Sequence, residues 1–205
     1  MPDFTKQLSK YLPEEAAPII STWINDTGCR FKVTRSRQSK LGDYRAPYQN
    51  QPHQITVNHD LNPYSFLVTT IHEFAHLQTW QRHKNKVKPH GQEWKNNFKN
   101  LMDPFLRMGI FPENVQFALI KYMDNPAASS CTDLSLHHTL KQYDTSEKEI
   151  ITIDSIAING FFSIKNGRVF QKMEKLRKRY KCLEVSSNRI YLFHPIAEVF
   201  PIDQP

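Results

Sequence analysis

Two histidines four residues apart, with a glutamate directly after the first, constrain this chain more than any other feature. They lie in the stretch TTIHEFAHLQTW, Thr69 to Trp80. In a helix, positions i and i+4 stack on one face, so the imidazoles of His72 and His76 can reach one cation. Glu73, one position round, can stand beside that cation and hold its water, which is what a zinc hydrolase needs. The competing reading is a core helix whose histidines are merely hydrogen-bonded. With 9 histidines in 205 residues, random placement gives roughly 0.02 occurrences of the pattern, which favours the metal.

Two histidines leave a zinc site short of a ligand. His83 lies on the same stripe, but eleven residues at ~1.5 Å each put it about 16 Å along the axis from His72. The third ligand must therefore come from an element that folds back. His90 and Glu93, just after the turn "KNKVKPHG", are the candidates. The following helix carries an apolar stripe of Trp94, Phe98, Leu101 and Phe105. His90 lies nearer the centre of that stripe and is the preferred ligand; Glu93 lies on its flank and is second choice.

Around these helices the periodicity predicts an α+β fold. Asp3 to Asn25 reads as two short helices broken at Pro13, with Gly28 as the stop. Phe31 and Val33, then Ile55 and Val57, alternate with polar residues as strands of a small antiparallel sheet would. Asn62 is placed to cap the HEFAH helix and Pro63 to open it, with Leu67, Ile71 and Phe74 at helical spacing. A further helix places Val115, Leu119 and Tyr122 inward. From Asn125 the pattern loosens, with one short amphipathic piece. From Ile151 β-formers dominate, with "KNG" and "SSN" at hairpin turns. The expected organisation is a core over residues 1–125, a linker with a short helix over 126–150, and a basic β-rich module over 151–205.

Charge and cysteine usage narrow the partners. The formal charge is +7. Lys165 to Lys181, "KNGRVFQKMEKLRKRYK", holds eight Lys or Arg against the single acid Glu174, a balance equal to that of the whole chain. Such a run is ordinarily a solvated face. Phe170 and Tyr180 interleave with it, however, and could stack on unpaired bases. The expectation is therefore a DNA contact of low sequence preference through Lys172, Lys175, Arg177, Lys178, Arg179 and Lys181. Cys29, Cys131 and Cys182 are far apart and never form C-x-x-C, so neither a disulfide framework nor a cysteine zinc module is expected. No apolar run is long enough to span a bilayer, and the start lacks the apolar core of an export signal, so a cytoplasmic protein with no membrane partner is expected.

"HEFAH", followed after thirteen residues by "HGQEW", resembles the SprT-like metallopeptidase family, which includes the Spartan proteases. "KLGDYRAP" and "ITVNHDLNP" are also similar to that family, and "NGRVFQKMEKLRKRYKC" is so more weakly. The resemblance implies a zincin-type peptidase core with one zinc on His72, His76 and His90, and Glu73 as the catalytic base. It also implies protein substrates, associated with or crosslinked to DNA. Members often carry a four-cysteine zinc ribbon after the core, whereas the matching segment here keeps only Cys182, so no second zinc is expected. The oxyanion stabiliser is left open among Tyr44, Tyr48 and Tyr64, which otherwise read as packing or surface residues. A DNA-binding module with a structural zinc and a general cytosolic peptidase are the alternative readings. Glu73 argues against the first, because a structural site has no use for a general base.

Overall fold

The helix that carries HEFAH runs from Pro63 to His83, and its start follows from local chemistry. The Asn62 side chain accepts from Ser65 N at 2.9 Å, and Pro63 holds the first helical position, where no N–H is needed. In the computed structural model, which describes residues 2–37, 40–126, 133–144 and 151–203, this is the central element of the first of two compact units, Met1–Thr145. Helix α1 is Thr5–Leu8, α2 is Ala17–Thr27, and the HEFAH helix is α3. Gly28 ends α2 in the left-handed region, at φ 59°, as its position predicts.

Residues from Phe66 to Thr79 are buried around most of the circumference of α3, beyond the single stripe that the spacing predicts. The reason is that helices pack on one side of it and a sheet on the other. Helix α4, Gln92–Arg107, buries Trp94, Phe98, Leu101 and Phe105 against it, and α5, Glu113–Met123, buries Val115, Leu119 and Tyr122. Between α3 and α4, Asn97 donates to Thr79 Oγ1 at 2.8 Å and accepts from Arg82 at 2.9 Å. Helix α6, Leu134–Lys141, arises in the expected linker but joins this unit. Leu136 and Leu140 enter its core, and Asn62 Nδ2 donates to Leu140 O at 2.8 Å and to Asp144 at 2.7 Å.

The three strands β1 (Arg30–Thr34), β2 (Gly42–Arg45) and β3 (Gln54–Asn58) form a sheet in the order β1-β3-β2. β2 runs antiparallel to β3, but β1 runs parallel to it, so the sheet is mixed and not antiparallel as expected. Ile55, Thr56, Val57 and Asn58 are all buried. A strand covered on both faces takes the centre, and that inserts β3 between its two predecessors.

The second unit, Ser146–Pro205, is a five-stranded antiparallel sheet, β7-β6-β5-β4-β8. Its strands are β4 (Phe161–Ser163), β5 (Val169–Lys175), β6 (Tyr180–Glu184), β7 (Ile190–Phe193) and β8 (Phe200–Ile202). Gly167 and Asn188 take positive φ in the β4–β5 and β6–β7 turns, where the sequence places hairpins. Phe162, Phe170, Cys182 and Val199 form its core. No helix among the described residues is long and apolar enough to cross a membrane.

Candidate metal centre

One helical turn brings His72 and His76 together, and the chain returns at His90 to meet them. His90 stands at φ 57° immediately before α4, a conformation a non-glycine residue holds only when its surroundings require it. Its Nε2 lies 2.9 Å from His76 Nε2 and 3.2 Å from His72 Nε2, and the latter two are 3.2 Å apart. Among the described residues this is the one group of three or more His, Cys, Asp or Glu side chains able to share a metal ion. Glu93 is half-buried in the first turn of α4 and lies outside the group.

The donor set fits zinc. Three nitrogens at 2.0–2.1 Å from a tetrahedral ion stand about 3.3 Å apart, close to the separations found here. Three converging Nε2 atoms cannot satisfy one another by hydrogen bonds, since each contact needs one donor and one acceptor; three lone pairs turned to a cation have no such conflict. Burial also keeps the imidazoles neutral, as ligands must be. It depresses His72 well below the usual histidine range, with the neighbouring imidazoles adding to the effect. Burial and then His90 bring His76 to about 3, and burial lowers His90. The Trp94 ring forms the floor, 4.6 Å from His72, 5.5 Å from His76 and 4.7 Å from His90 between ring centres. The spacing within "HGQEW" thus has a physical content: one residue supplies a nitrogen and another the surface that orients all three rings.

Glu73 is buried, and burial, followed by the nearby Asp43 charge, raises its pKa to about 8 against the opposing pull of Arg37, a Tyr44 backbone hydrogen bond and Lys40. A carboxylate so placed is a stronger base than one in water. The neighbour that permits this is Gly42. A Cβ there would stand 2.6 Å from Glu73 Oε1 and 2.7 Å from Thr69 Cγ2. Only a residue without a side chain lets β2 lie so close to α3. Spacing arguments miss Gly42, because nothing local to "KLGDYR" says which helix it will touch.

From Gly42 onward β2 and the start of β3 follow α3 turn by turn. The Tyr44 ring stacks on His76, 6.2 Å between centres and 5° from parallel. Tyr44 Oη bonds to His53 Nδ1 at 2.9 Å, and His53 stands edge-on to Trp80 at 5.0 Å. Of Tyr44, Tyr48 and Tyr64, it is Tyr44 that borders the histidines. Tyr64 packs against Phe111 and Tyr143, and Tyr48 is exposed. Asp43, although burial opposes it, is held ionised by Lys40 at 2.7 Å and Arg45 at 3.0 Å.

The basic segment divides. Arg177, Lys178 and Arg179 are exposed in the connection between β5 and β6. Lys175 lies 3.7 Å from Asp154, and Lys181 is paired with Glu174 at 2.7 Å. Lys172 does not belong with them. It is 2% exposed, donates to the carbonyls of Asp154 and Ile156, and lies over the Tyr180 ring, where it can meet no phosphate. Phe170 and Tyr180 are likewise buried and cannot stack on bases. Alternation from Phe170 puts Lys172 on the same inward face two residues on, a signal that counting charges ignores.

A family model described as SprT-like matches residues 6–115, more than half of the chain. No curated protein and no solved structure matches.

Proposed function

The chain belongs to the SprT-like family, and on that premise we propose that it is a zinc-dependent peptidase. The observation that carries the reading is the convergence of three imidazole nitrogens, two of them from the helix on which the buried Glu73 directly follows His72. His72, His76 and His90 would hold the ion through Nε2. When bound, zinc would supply Lewis acidity, polarising a scissile carbonyl and bringing the pKa of a water to about 7. Glu73 accepts the proton of the attacking water on a carboxylate oxygen and later delivers it to the leaving amine. Trp94 and Tyr44 keep the imidazoles in place, and Gly42 keeps β2 against the base.

The proposed substrates are proteins associated with DNA, in a cytoplasmic setting. What supports the DNA element is the exposed Arg177–Lys178–Arg179 connection, which offers phosphates three cations within one turn. The test is cleavage of an unfolded protein substrate by the full chain, with zinc or a chelator and with or without DNA. Zinc-dependent cleavage that DNA accelerates is expected, and Glu73→Gln should keep its zinc and lose cleavage. Zinc-dependent cleavage indifferent to DNA would leave a general peptidase, and a zinc-loaded chain that cleaves nothing would leave a binding module.

A further inference from the structure

We propose that the free edge of β1 and the cavity beside it form a second peptide-binding site, which takes an extended segment of alternating apolar and acidic residues. The sheet order puts β1 on the far side of β3 from β2, the strand that borders the metal centre. Arg30 N donates to His53 O at 2.7 Å, and Thr34 O accepts from His59 N at 2.9 Å, so Arg30, Lys32 and Thr34 are the residues whose main chain faces β3. Phe31 and Val33, between them, turn their N–H and C=O groups to the open edge. There these groups have no partner among the described residues. An extended peptide can satisfy them by adding a strand.

Beside this edge is a cavity of about 610 Å³, within the size range of ligand pockets. Leu8, Tyr11, Ile24, Phe31 and Val33 line it. The Phe31 ring reaches the core rings of Phe66 and Phe74, at 6.5 and 6.4 Å, yet Phe31 and Val33 stay half-buried because the space over them is unfilled. Every second side chain of an added strand would enter that space.

Charge chooses the remaining side chains. Lys10 and Arg30 are the charged residues that line the cavity, and Lys32 and Arg35 are exposed on and just beyond the same strand. Aspartate or glutamate opposite Arg30 and Lys32 gives favourable cross-strand pairs. The same cations disfavour a second copy as the occupant, because β1 against β1 sets like charges side by side.

The test uses the full chain and a fluorescein-labelled peptide alternating leucine with aspartate, recovered intact by mass spectrometry after the titration. A counterpart with lysine for aspartate, and decanoate as a free amphiphile, serve as comparisons. Anisotropy should show binding of the acidic peptide and none of the lysine peptide. Lys10→Glu, Arg30→Glu and Lys32→Glu together should weaken binding at least tenfold. Val33→Pro, which removes an outward N–H and leaves the bonds to β3 alone, should weaken it too; if that variant does not fold, the charge reversal decides. No peptide binding, equal binding of both peptides, or affinity unchanged in the charge-reversed variant overturns the proposal. Decanoate binding without peptide binding would assign the cavity to a small amphiphile. A concentration-dependent dimer of the parent chain that excludes the peptide would assign the edge to self-pairing.

Discussion

Replacing Gly42 with alanine adds one carbon at the closest approach of β2 to α3. That carbon would stand 2.6 Å from Glu73 Oε1, 2.7 Å from Thr69 Cγ2 and 2.9 Å from Glu73 Cγ. Non-bonded carbons settle at about 3.5–4.0 Å, so either β2 lifts by roughly 1 Å or Glu73 rotates away from the histidines. Gly42 is outside the left-handed region, so the backbone itself tolerates alanine and the cost is steric. Overpacking of this kind costs about 1–3 kcal/mol, and the stiffer unfolded chain returns about 0.4–1 kcal/mol. A net loss of about 1–2 kcal/mol should lower Tm by about 2–8 °C for a unit of this size. A base displaced by ~1 Å should lower turnover by about 10²-fold. The three nearest atoms to the added carbon belong to Glu73 and Thr69 and not to an imidazole, so zinc should remain at about one per chain. Calorimetry, metal analysis and kcat on a zinc-dependent substrate read the three quantities. A variant with the parent's Tm and turnover would show that the close approach does not constrain the base.

His90→Ala should lose most bound zinc, and Glu93→Ala should retain it; metal analysis giving the reverse would exchange the third ligand. Changing Arg177, Lys178 and Arg179 to glutamate should weaken DNA binding and flatten its salt dependence by about 0.9 in log–log slope for each phosphate that is no longer neutralised. Lys172→Met should leave that slope unchanged while destabilising the sheet, since the buried Ile156 carbonyl loses its donor at about 1–3 kcal/mol and the half-buried Asp154 carbonyl loses one as well. A parent with no DNA affinity at low salt would remove the interface altogether. Glu184 provides a pH dependence: its bonds to Arg168, at 2.6 Å, and to Ser187 bring its carboxyl to about 2. A depressed carboxyl contributes stability that is complete above the ordinary glutamate value near 4.3 and is lost as pH falls through about 2. NMR of the β5–β6 aromatic resonances from pH 5 to 2 should show this loss in the parent and a flatter profile in Glu184→Gln; equal slopes would refute the assignment.

Local periodicity alone determined the elements that bear the chemistry. The i, i+4 spacing of His72 and His76, the Asn62–Pro63 start of α3 and the apolar stripe of α4 are properties of neighbours in the chain, and a helix converts them directly into geometry. The stripe also indicated the direction from which His90 arrives. The turns at Gly167 and Asn188 were legible for the same reason, because positive φ is a demand on one residue. Three features were decided only by packing. The parallel pairing of β1 with β3 depends on which strand is covered on both faces, and that is known only once helices and sheet have met. Gly42 matters because of a side chain on another element. Lys172 left the basic surface because β5 turns it inward to two carbonyls and an aromatic ring, so a charge counted along the sequence became a buried cation in the fold. Spacing along a chain specifies what one element can present; which element it is presented to is set by burial, a property of the whole unit.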